Sequence, residues 1–419
     1  SCEPSRVTMS RLFQCVPIDF CDILAVVRRM ALASSEDHDM IAHQAEMDRG
    51  FLPDNTLRNL ESAIVESGII SNWQPSEWSK VETLASAASG QGSVELMSSR
   101  SNSGQIVAVK KLPMKLMRRC PDEFNKKWHD DGERPWTDIA IVRHLNQHSC
   151  PFACQLLGVF LSTHKVYIMT SFANRGDLFS WCEADRSKVG AEREANMRPI
   201  VSQIFTAVCW LHDLGIAHCD LSLENLMLTD DNEGGLLVKI IDFGMATMSR
   251  SACRQVRGKR SYQAPEMHGK VEYDTFLADI FALGVVVYCM AVHNYPWKYT
   301  VPGKDRSCDM ARTMGVECLL QQKCMQCCKR PIAEVFSRSY LDLLHGLLAF
   351  DPEARYSLGE ACFDNISIPR ANSKASLLSE ISDASTTDSL NLAEDKTLYV
   401  EDQSDEKKSK DFQSRPSVW

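Results

Sequence analysis

The sequence predicts an α+β protein of two unequal lobes, a small antiparallel sheet carrying one helix followed by a larger, mainly helical lobe. Three observations predict it. The β-rich runs VETLA, VELM and IVAVKKL fall between Val81 and Leu112, with the turn signal NSGQ (102–105) between the last two. An amphipathic helix follows, with Asp138, Ile141, Val142 and Leu145 on one face and Pro135 near its start. The rest is helical in texture: Arg198 to Leu214 places Val201, Ile204, Val208 and Leu211 on one side. The run IFALGVVVYCMAV (280–292) is apolar all round, and at 13 residues it is too short to cross a bilayer, so it reads as a helix buried in the large lobe.

Along the chain, residues 1–79 read as an N-terminal extension with two amphipathic helices, FCDILAVVRRMAL (20–32) and LRNLESAIVESGII (57–70), that pack on the body or on a partner. Residues 80–365 read as the folded domain, with the small lobe over about 80–172 and the large lobe over about 173–365. Within it, the charged stretch Arg118 to Arg134 reads as a long loop, and KVYIM as a strand leading into the polar FANRGD. The tail, 366–419, is acidic and Ser-rich and is expected to be disordered.

The totals exclude some classes. A 44% apolar content allows a sizeable core, and a net charge of −9 argues against nucleic acid as a partner. There is no signal-like start and no apolar run of 18 residues, so no membrane span is expected. The 17 cysteines are scattered, which suits free thiols in a reducing, intracellular setting, cytoplasmic and/or nuclear. Cys324, Cys327 and Cys328 lack a fourth ligand at zinc spacing and read as ordinary core or surface residues. The start at Ser1 is compatible with a fragment, and nothing in the sequence speaks to oligomeric state.

The chemistry-bearing residues come in order. In SGQGSVELM, Gly90 and Gly92 let a backbone turn closely over a phosphate, while Glu95 occupies the third glycine position and puts a charge nearby. A dinucleotide site needs a helix after the glycines, and VELM is a strand pattern, so that reading falls. In VAVK, Lys110 shares a strand face with Ala108, and Lys111 reads as a solvated neighbour. Asp138 on an apolar helix face is costly unless paired, and Lys110 is the economical partner; Glu133, in the polar loop, competes for it. HCDLSLEN (218–225) is followed by IIDFGMA, with Asp242 22 residues after Asp220. Asp220, Asn225 and Asp242 are the oxygen donors that Mg²⁺ takes when it also binds phosphates.

With these motifs the chain resembles a eukaryotic protein kinase catalytic domain, of Ser/Thr type, from about Lys80 to Phe363. The resemblance implies the two-lobed kinase fold, ATP and Mg²⁺ as cofactors, and protein substrates. It implies Lys110 as the ATP lysine, Asp138 as its partner in place of a glutamate, Asp220 as catalytic base, and Asn225 and Asp242 as metal ligands. Gly90, Gly92, Met97, Ala108, Thr170, Ser171, Ala173 and Asp177 would line the nucleotide site, with Thr170 guarding its back pocket. YQAPE (262–266) matches the APE motif, Arg355 its salt-bridge partner, and Asp279 the brace of the catalytic loop. DLSLEN lacks the arginine-and-alanine pattern of tyrosine kinases.

Two departures matter most. Cys219 stands where the family has an arginine that grips an activation-loop phosphate, which predicts activity weakly dependent on phosphorylation of Thr247, Ser249 or Ser251. Ser222 stands where a lysine approaches the γ-phosphate, and Lys259 stands where the docking loop has a threonine. The pair reads as an exchange in which Lys259 supplies the cation from the opposite side, set against Lys259 as a solvated loop residue. A pseudokinase scaffold is the alternative to an active enzyme, and Lys110, Asp220 and Asp242 all speak against it. A small-molecule kinase is disfavoured by the APE motif and Arg355.

Overall fold

The computed structural model describes residues 56–86, 92–102, 104–118, 120–127, 134–231 and 234–358. The expected helix at 20–32 and the tail lie outside them.

The small lobe is built on a six-stranded sheet: β1 (Ile70–Asn72), β2 (Trp78–Ser86), β3 (Ser93–Ser99), β4 (Ile106–Pro113), β5 (Leu156–Leu161) and β6 (Lys165–Ser171), in the spatial order β1-β5-β6-β4-β3-β2. All neighbours are antiparallel except β1, which runs parallel to β5. Strand alternation gives the sheet two different faces. One carries Val107, Val109, Met97 and Met169 under Trp73, Trp78, Phe160 and Tyr167. The other carries Leu112, Val166 and Ile168, packed on Trp136, Ile139 and Ala140 of the helix α4 (Pro135–Gln147). Lys110 and Ala108 alternate with Val107 and Val109, so they lie on this second, helix-covered face.

Three helices precede α4: α1 (Thr56–Glu66), α2 (Met114–Met117) and α3 (Pro121–Lys127). The small lobe therefore holds more than the one helix the sequence predicts. The stretch Arg118 to Arg134, expected as a loop, contains α3, which has Asp122 and Glu123 in its first turn and Lys126 and Lys127 in its last, both favourable to the helix dipole. Phe124 anchors it in the core beside Ile64 of α1. The boundary expected near Lys80 falls inside β2, and both α1 and β1 upstream of it are part of this lobe. α1 is the amphipathic helix expected over 57–70, packed on the body as one of the two options and ending at Glu66, with Ile70 entering β1. α3 and β1 are too short for the sequence alone to reveal.

The large lobe comprises α5 (Leu178–Ala184), α6 (Ala191–Asp213), the hairpin β7 (Leu226–Asp230) and β8 (Leu236–Ile240), the pair β9 (Ser251–Cys253) and β10 (Glu272–Asp274), then α7 (Thr275–Val292), α8 (Arg306–Met314), α9 (Val316–Gln322), α10 (Ile332–Val335) and α11 (Arg338–Leu347). α6 starts before Arg198, with Pro199 inside it. Tertiary bonds hold that first part: the Glu194 carboxylate accepts from Ser337 N–H and Oγ at 2.7 and 2.6 Å, and Arg193 donates to Ala291 O at 2.9 Å. α7 is 18 residues long rather than 13, because Asp274 caps it by accepting from Phe276 N–H and Leu277 N–H. It is long and apolar enough to span a membrane, yet it is enclosed by the lobe, with 89% of its length buried. The twelve cysteines whose side chains are described are free, Cys324, Cys327 and Cys328 are exposed, and no metal-holding cluster occurs among the described residues.

Candidate active site

The two lobes meet at Lys110. Its Nζ lies 3.5 Å from Asp138 Oδ2 on α4 and 3.2 Å from Asp242 Oδ1, in the loop after β8. The pairing of Lys110 with Asp138 is the one the apolar helix face predicts; Glu133 lies outside the described residues. Asp138 is one carbon shorter than a glutamate, and its carboxylate still comes within 3.5 Å of Lys110. Asp138 Oδ1 accepts from Phe243 N–H at 3.0 Å, and Arg134 N–H, at the head of α4, donates to Gly244 O at 2.9 Å. Burial holds the Asp138 carboxyl above its ordinary value; Lys110 offsets this only in part, and Asp242 adds to it. The ion pair and the Phe243 bond are what make a buried carboxylate tolerable here.

Several nucleotide-site expectations change with strand geometry. Met97 faces Val107 and belongs to the tryptophan-covered face, opposite to Lys110. Leu96, which faces Ala108, takes the position expected of Met97. Glu95 also points away from Lys110: it pairs with Lys111 and lies 3.6 Å from Lys80. Lys111 is therefore an engaged residue, also placed over the Tyr167 ring, rather than a solvated one. Thr170 is the register partner of Ala108 and shares the Lys110 face. Ser171 lies on the other face, where its Oγ accepts from Gln155 N–H and its own N–H donates to Gln155 O. Ala173 is buried in the segment that joins the lobes, and Asp177 caps α5 by accepting from Ser180 N–H at 2.7 Å. A side chain at Gly92 would press on Leu112 at 3.2 Å; Gly90 lies outside the described residues.

The loop 218–225 is held from beneath. Asp279 of α7 accepts from His218 N–H at 2.6 Å and from Cys219 N–H at 2.8 Å, which fixes Cys219 in a left-handed turn with φ 62°. His218 Nδ1 accepts from Asp220 N–H while Nε2 donates to Ile241 O, so one tautomer satisfies both bonds. Asp220 then projects with each oxygen bonded once: Oδ1 accepts from Lys259 N–H at 3.0 Å and Oδ2 from Asn225 Nδ2 at 3.0 Å. Burial pushes the Asp220 carboxyl up, Lys259 opposes this, and the nearby Asp242 adds to it. Gly258 has to be a glycine: its φ is +79°, and a Cβ would lie 2.7 Å from Cys219 O and 3.1 Å from Asp220 Oδ1.

Asn225 spends its amide nitrogen on Asp220, at the backbone O (2.7 Å) and at Oδ2. Its Oδ1 is buried and has no hydrogen-bond partner. A buried carbonyl oxygen without a donor, near the carboxylates of Asp220 and Asp242, is a set of hard oxygen donors of the kind Mg²⁺ takes. The residues present thus fit the expected ion.

Lys259 meets Ser222. Its Nζ donates to Ser222 Oγ at 2.6 Å and lies 3.8 Å from Asp220 Oδ2 and 3.6 Å from Glu224 Oε2. Ser222 is fully buried, so the reading of Lys259 as a solvated loop residue fails. The cation sits beside Asp220 although the loop itself carries none.

Residues that motif reading overlooked also shape the site. Tyr262 Oη accepts from Leu223 N–H at 3.3 Å, bracing the loop from the docking segment. Arg257 donates to Met245 O at 3.0 Å and faces the Cys219 thiol, which burial and Asp279 push up to about 12. Arg355 forks onto Glu266 at 2.6 and 3.1 Å, as expected. Glu61, on the apolar face of α1 with Leu57, Leu60 and Ile64, carries the same signal that singled out Asp138, a carboxylate at a core position.

Comparison with known proteins places the chain. The family model described as protein kinase domain matches residues 86–365. The serine/threonine-protein kinase SBK1 of Danio rerio is 31% identical over 158 residues, covering 36% of this chain and 40% of that protein. CBL-interacting protein kinase 11 of Oryza sativa subsp. japonica is 29% identical over 226 residues, 53% of this chain and 40% of that protein. Serine/threonine-protein kinase SAPK3 of Oryza sativa subsp. indica is 29% identical over 264 residues, 61% of this chain and 72% of that protein. The chain thus spans well under half the length of the first two.

Proposed function

The chain belongs to the protein kinase family, and on that premise we propose that it is an active serine/threonine kinase, transferring the γ-phosphoryl group of ATP to hydroxyls of protein substrates. The observation that carries this reading is the simultaneous closure of both halves of the site. Lys110 is paired with Asp138 and Asp242 while Asp220 is held by Lys259 and Asn225.

The residues support a division of labour. Lys110 is placed to hold phosphate oxygens once they replace its carboxylate contacts in part. Asp242 and the orphan Asn225 Oδ1 would hold Mg²⁺. Bound Mg²⁺ and ATP supply the transferable group and the neutralisation of its charge. Asp220 orients the substrate hydroxyl and takes its proton on a carboxylate oxygen; its raised pKa makes it a better acceptor than an exposed aspartate. Lys259, close to Asp220 Oδ2, supplies the positive charge that Ser222 does not. The alternative, a scaffold that binds nucleotide or partners without transfer, draws on Cys219 and Ser222.

The deciding experiment is phosphorylation of a generic protein substrate with ATP and Mg²⁺, with Asp220→Asn as control, followed by phosphoamino-acid analysis. Transfer that is lost in the variant supports the enzyme, and phosphoserine or phosphothreonine supports its class. Equal signal in both proteins, or none in either, favours the scaffold.

A further inference from the structure

α1 lies upstream of the kinase-domain match, which begins at residue 86. Its Glu61 is 1% exposed, one turn along the helix from Ile64, which belongs to the core cluster with Met117, Trp136 and Ile139. A lone carboxylate there would be costly. It is fully engaged instead. Oε1 accepts from Thr137 Oγ1 at 2.7 Å and lies 3.5 Å from an Arg134 nitrogen, and Oε2 accepts from Asn125 Nδ2 at 3.2 Å. The same Arg134 nitrogen donates to Asn125 Oδ1 at 2.8 Å, which closes the network.

Every contact Glu61 makes on α4 is in its first turn. Arg134 is the residue at the head of that helix, and its side chain makes no cap. Thr137 immediately precedes Asp138. Through its backbone Arg134 bonds Gly244, and through its side chain Asp138 bonds Phe243 and Lys110. α4 is therefore gripped on one side by Glu61 and on the other by the segment that carries Asp242. The aspartate at 138 makes this grip consequential. With one carbon less than the glutamate usual in the family, its reach is spent at 3.5 Å from Lys110. An outward shift of the helix by about 1 Å would open the pair, and misplacements of that size cost reactions on the order of 100-fold.

We propose that Glu61 is a positioning residue of the catalytic site: α1 holds the first turn of α4 inward so that the short Asp138 reaches Lys110. The shortened partner and the upstream clamp are two parts of one device. The inference rests on the kinase reading for its effect on turnover, but its structural half can be read without turnover.

The test uses the full chain with Glu61→Ala and, as a milder variant that keeps the side-chain shape, Thr137→Val. Amide hydrogen exchange at Arg134 and Phe243, whose N–H groups bridge α4 to the Asp242 segment, reports the helix position without nucleotide. Affinity for a fluorescent ATP analogue with Mg²⁺, and kcat, report the site. The expected result is faster exchange at both amides, at least several-fold weaker nucleotide binding and a lower kcat, with the unfolding midpoint monitored alongside. In an Asp138→Ala background the same changes at Glu61 or Thr137 should leave nucleotide affinity unaltered, because the pair they position is already gone. Equal losses of affinity in both backgrounds would show a merely structural role and overturn the proposal, as would unchanged exchange at Arg134 and Phe243 in both variants. If wild-type chain transfers no phosphate while exchange still responds, the kinase reading fails and the clamp stands.

Discussion

The two halves of the site are built by different means. The large-lobe half draws Asp220, Ser222 and Asn225 from one short loop, and backbone groups set most of its geometry: His218 N–H and Cys219 N–H on Asp279, Lys259 N–H on Asp220, and the tight approach at Gly258. The small-lobe half gathers a strand lysine, a helix aspartate, Asp242 and, behind them, Glu61, through side chains from four distant segments. Backbone bonds allow little adjustment, whereas side-chain bonds at 3.2–3.5 Å can open when one helix moves. The rigid geometry thus lies in the large lobe and the adjustable geometry in the small one.

The largest effect should come from the rigid half. Asp220→Asn keeps an acceptor for Lys259 N–H but cannot take a proton, so kcat should fall by about 10²- to 10⁴-fold, with nucleotide affinity little changed. Fluorescence titration with a nucleotide analogue beside turnover measurements checks both. A comparable loss of affinity would mean that this half is less rigid than its backbone bonds imply.

In the adjustable half the sharpest variant restores what most family members have. Asp138→Glu adds a methylene at a buried position whose carboxylate already bonds both Lys110 and Phe243 N–H. Overpacking of this kind costs about 1–3 kcal/mol, so kcat/KM should drop by roughly 5- to 150-fold rather than improve. An increase in kcat/KM would show that α4 has room and that the clamp at Glu61 has nothing to compensate.

The exchange of Ser222 and Lys259 tests the rigid half again. Lys259→Thr should lower kcat by at least about tenfold through loss of a cation near the reacting group, and adding Ser222→Lys should recover part of it. The pH profile carries the sign. Burial raises the Asp220 carboxyl and Lys259 lowers it, so removing Lys259 raises it further. The base has to be ionised to act. The acid limb of the kcat/KM profile should therefore move to higher pH in Lys259→Thr, and an unmoved limb would separate Lys259 from Asp220.

The same division governs what could be read in advance. Asp220, Asn225 and Asp242 sit in contiguous motifs, and the chemistry of their side chains is legible without a fold. The partnership of Lys110 with Asp138 is legible because a carboxylate on an apolar helix face demands a cation. Glu61 carries that signal too, but its partners are a hydroxyl, an amide and a backbone-anchored arginine, none of which announces itself in sequence. Met97 lies on the face opposite to the expected one, because a strand register off by one residue exchanges the two faces of the sheet and only the pairing with β4 settles it. α3 and β1 escaped because elements this short have no periodicity of their own to show.

The smallest expected effect concerns the activation segment, which joins the two halves. With Cys219 in place of an arginine, no cation in the catalytic loop is available to a loop phosphate. The segment is held by other bonds: Thr247 and Ala217 exchange backbone hydrogen bonds at 2.9 Å, Arg250 pairs with Asp274 at 2.7 Å, Tyr273 Oη donates to Gln255 O, and Arg257 anchors on Met245 O. Of the three candidate hydroxyls, Thr247 is buried and Ser251 Oγ donates to the Glu272 carboxylate, so a phosphate at Ser251 would meet a like charge. Only Ser249 is exposed without an acidic hydrogen-bond partner; its Oγ donates to Ser251 O. Phosphatase treatment, or alanine at Ser249 and Ser251, should change kcat/KM by less than about fivefold, the scale of one exposed ion pair. Loss of activity on phosphatase treatment, reproduced by the alanine variants, would mean that the segment needs a phosphate after all. Arg257 would then be the first cation to test as its partner, because it is the one that faces Cys219.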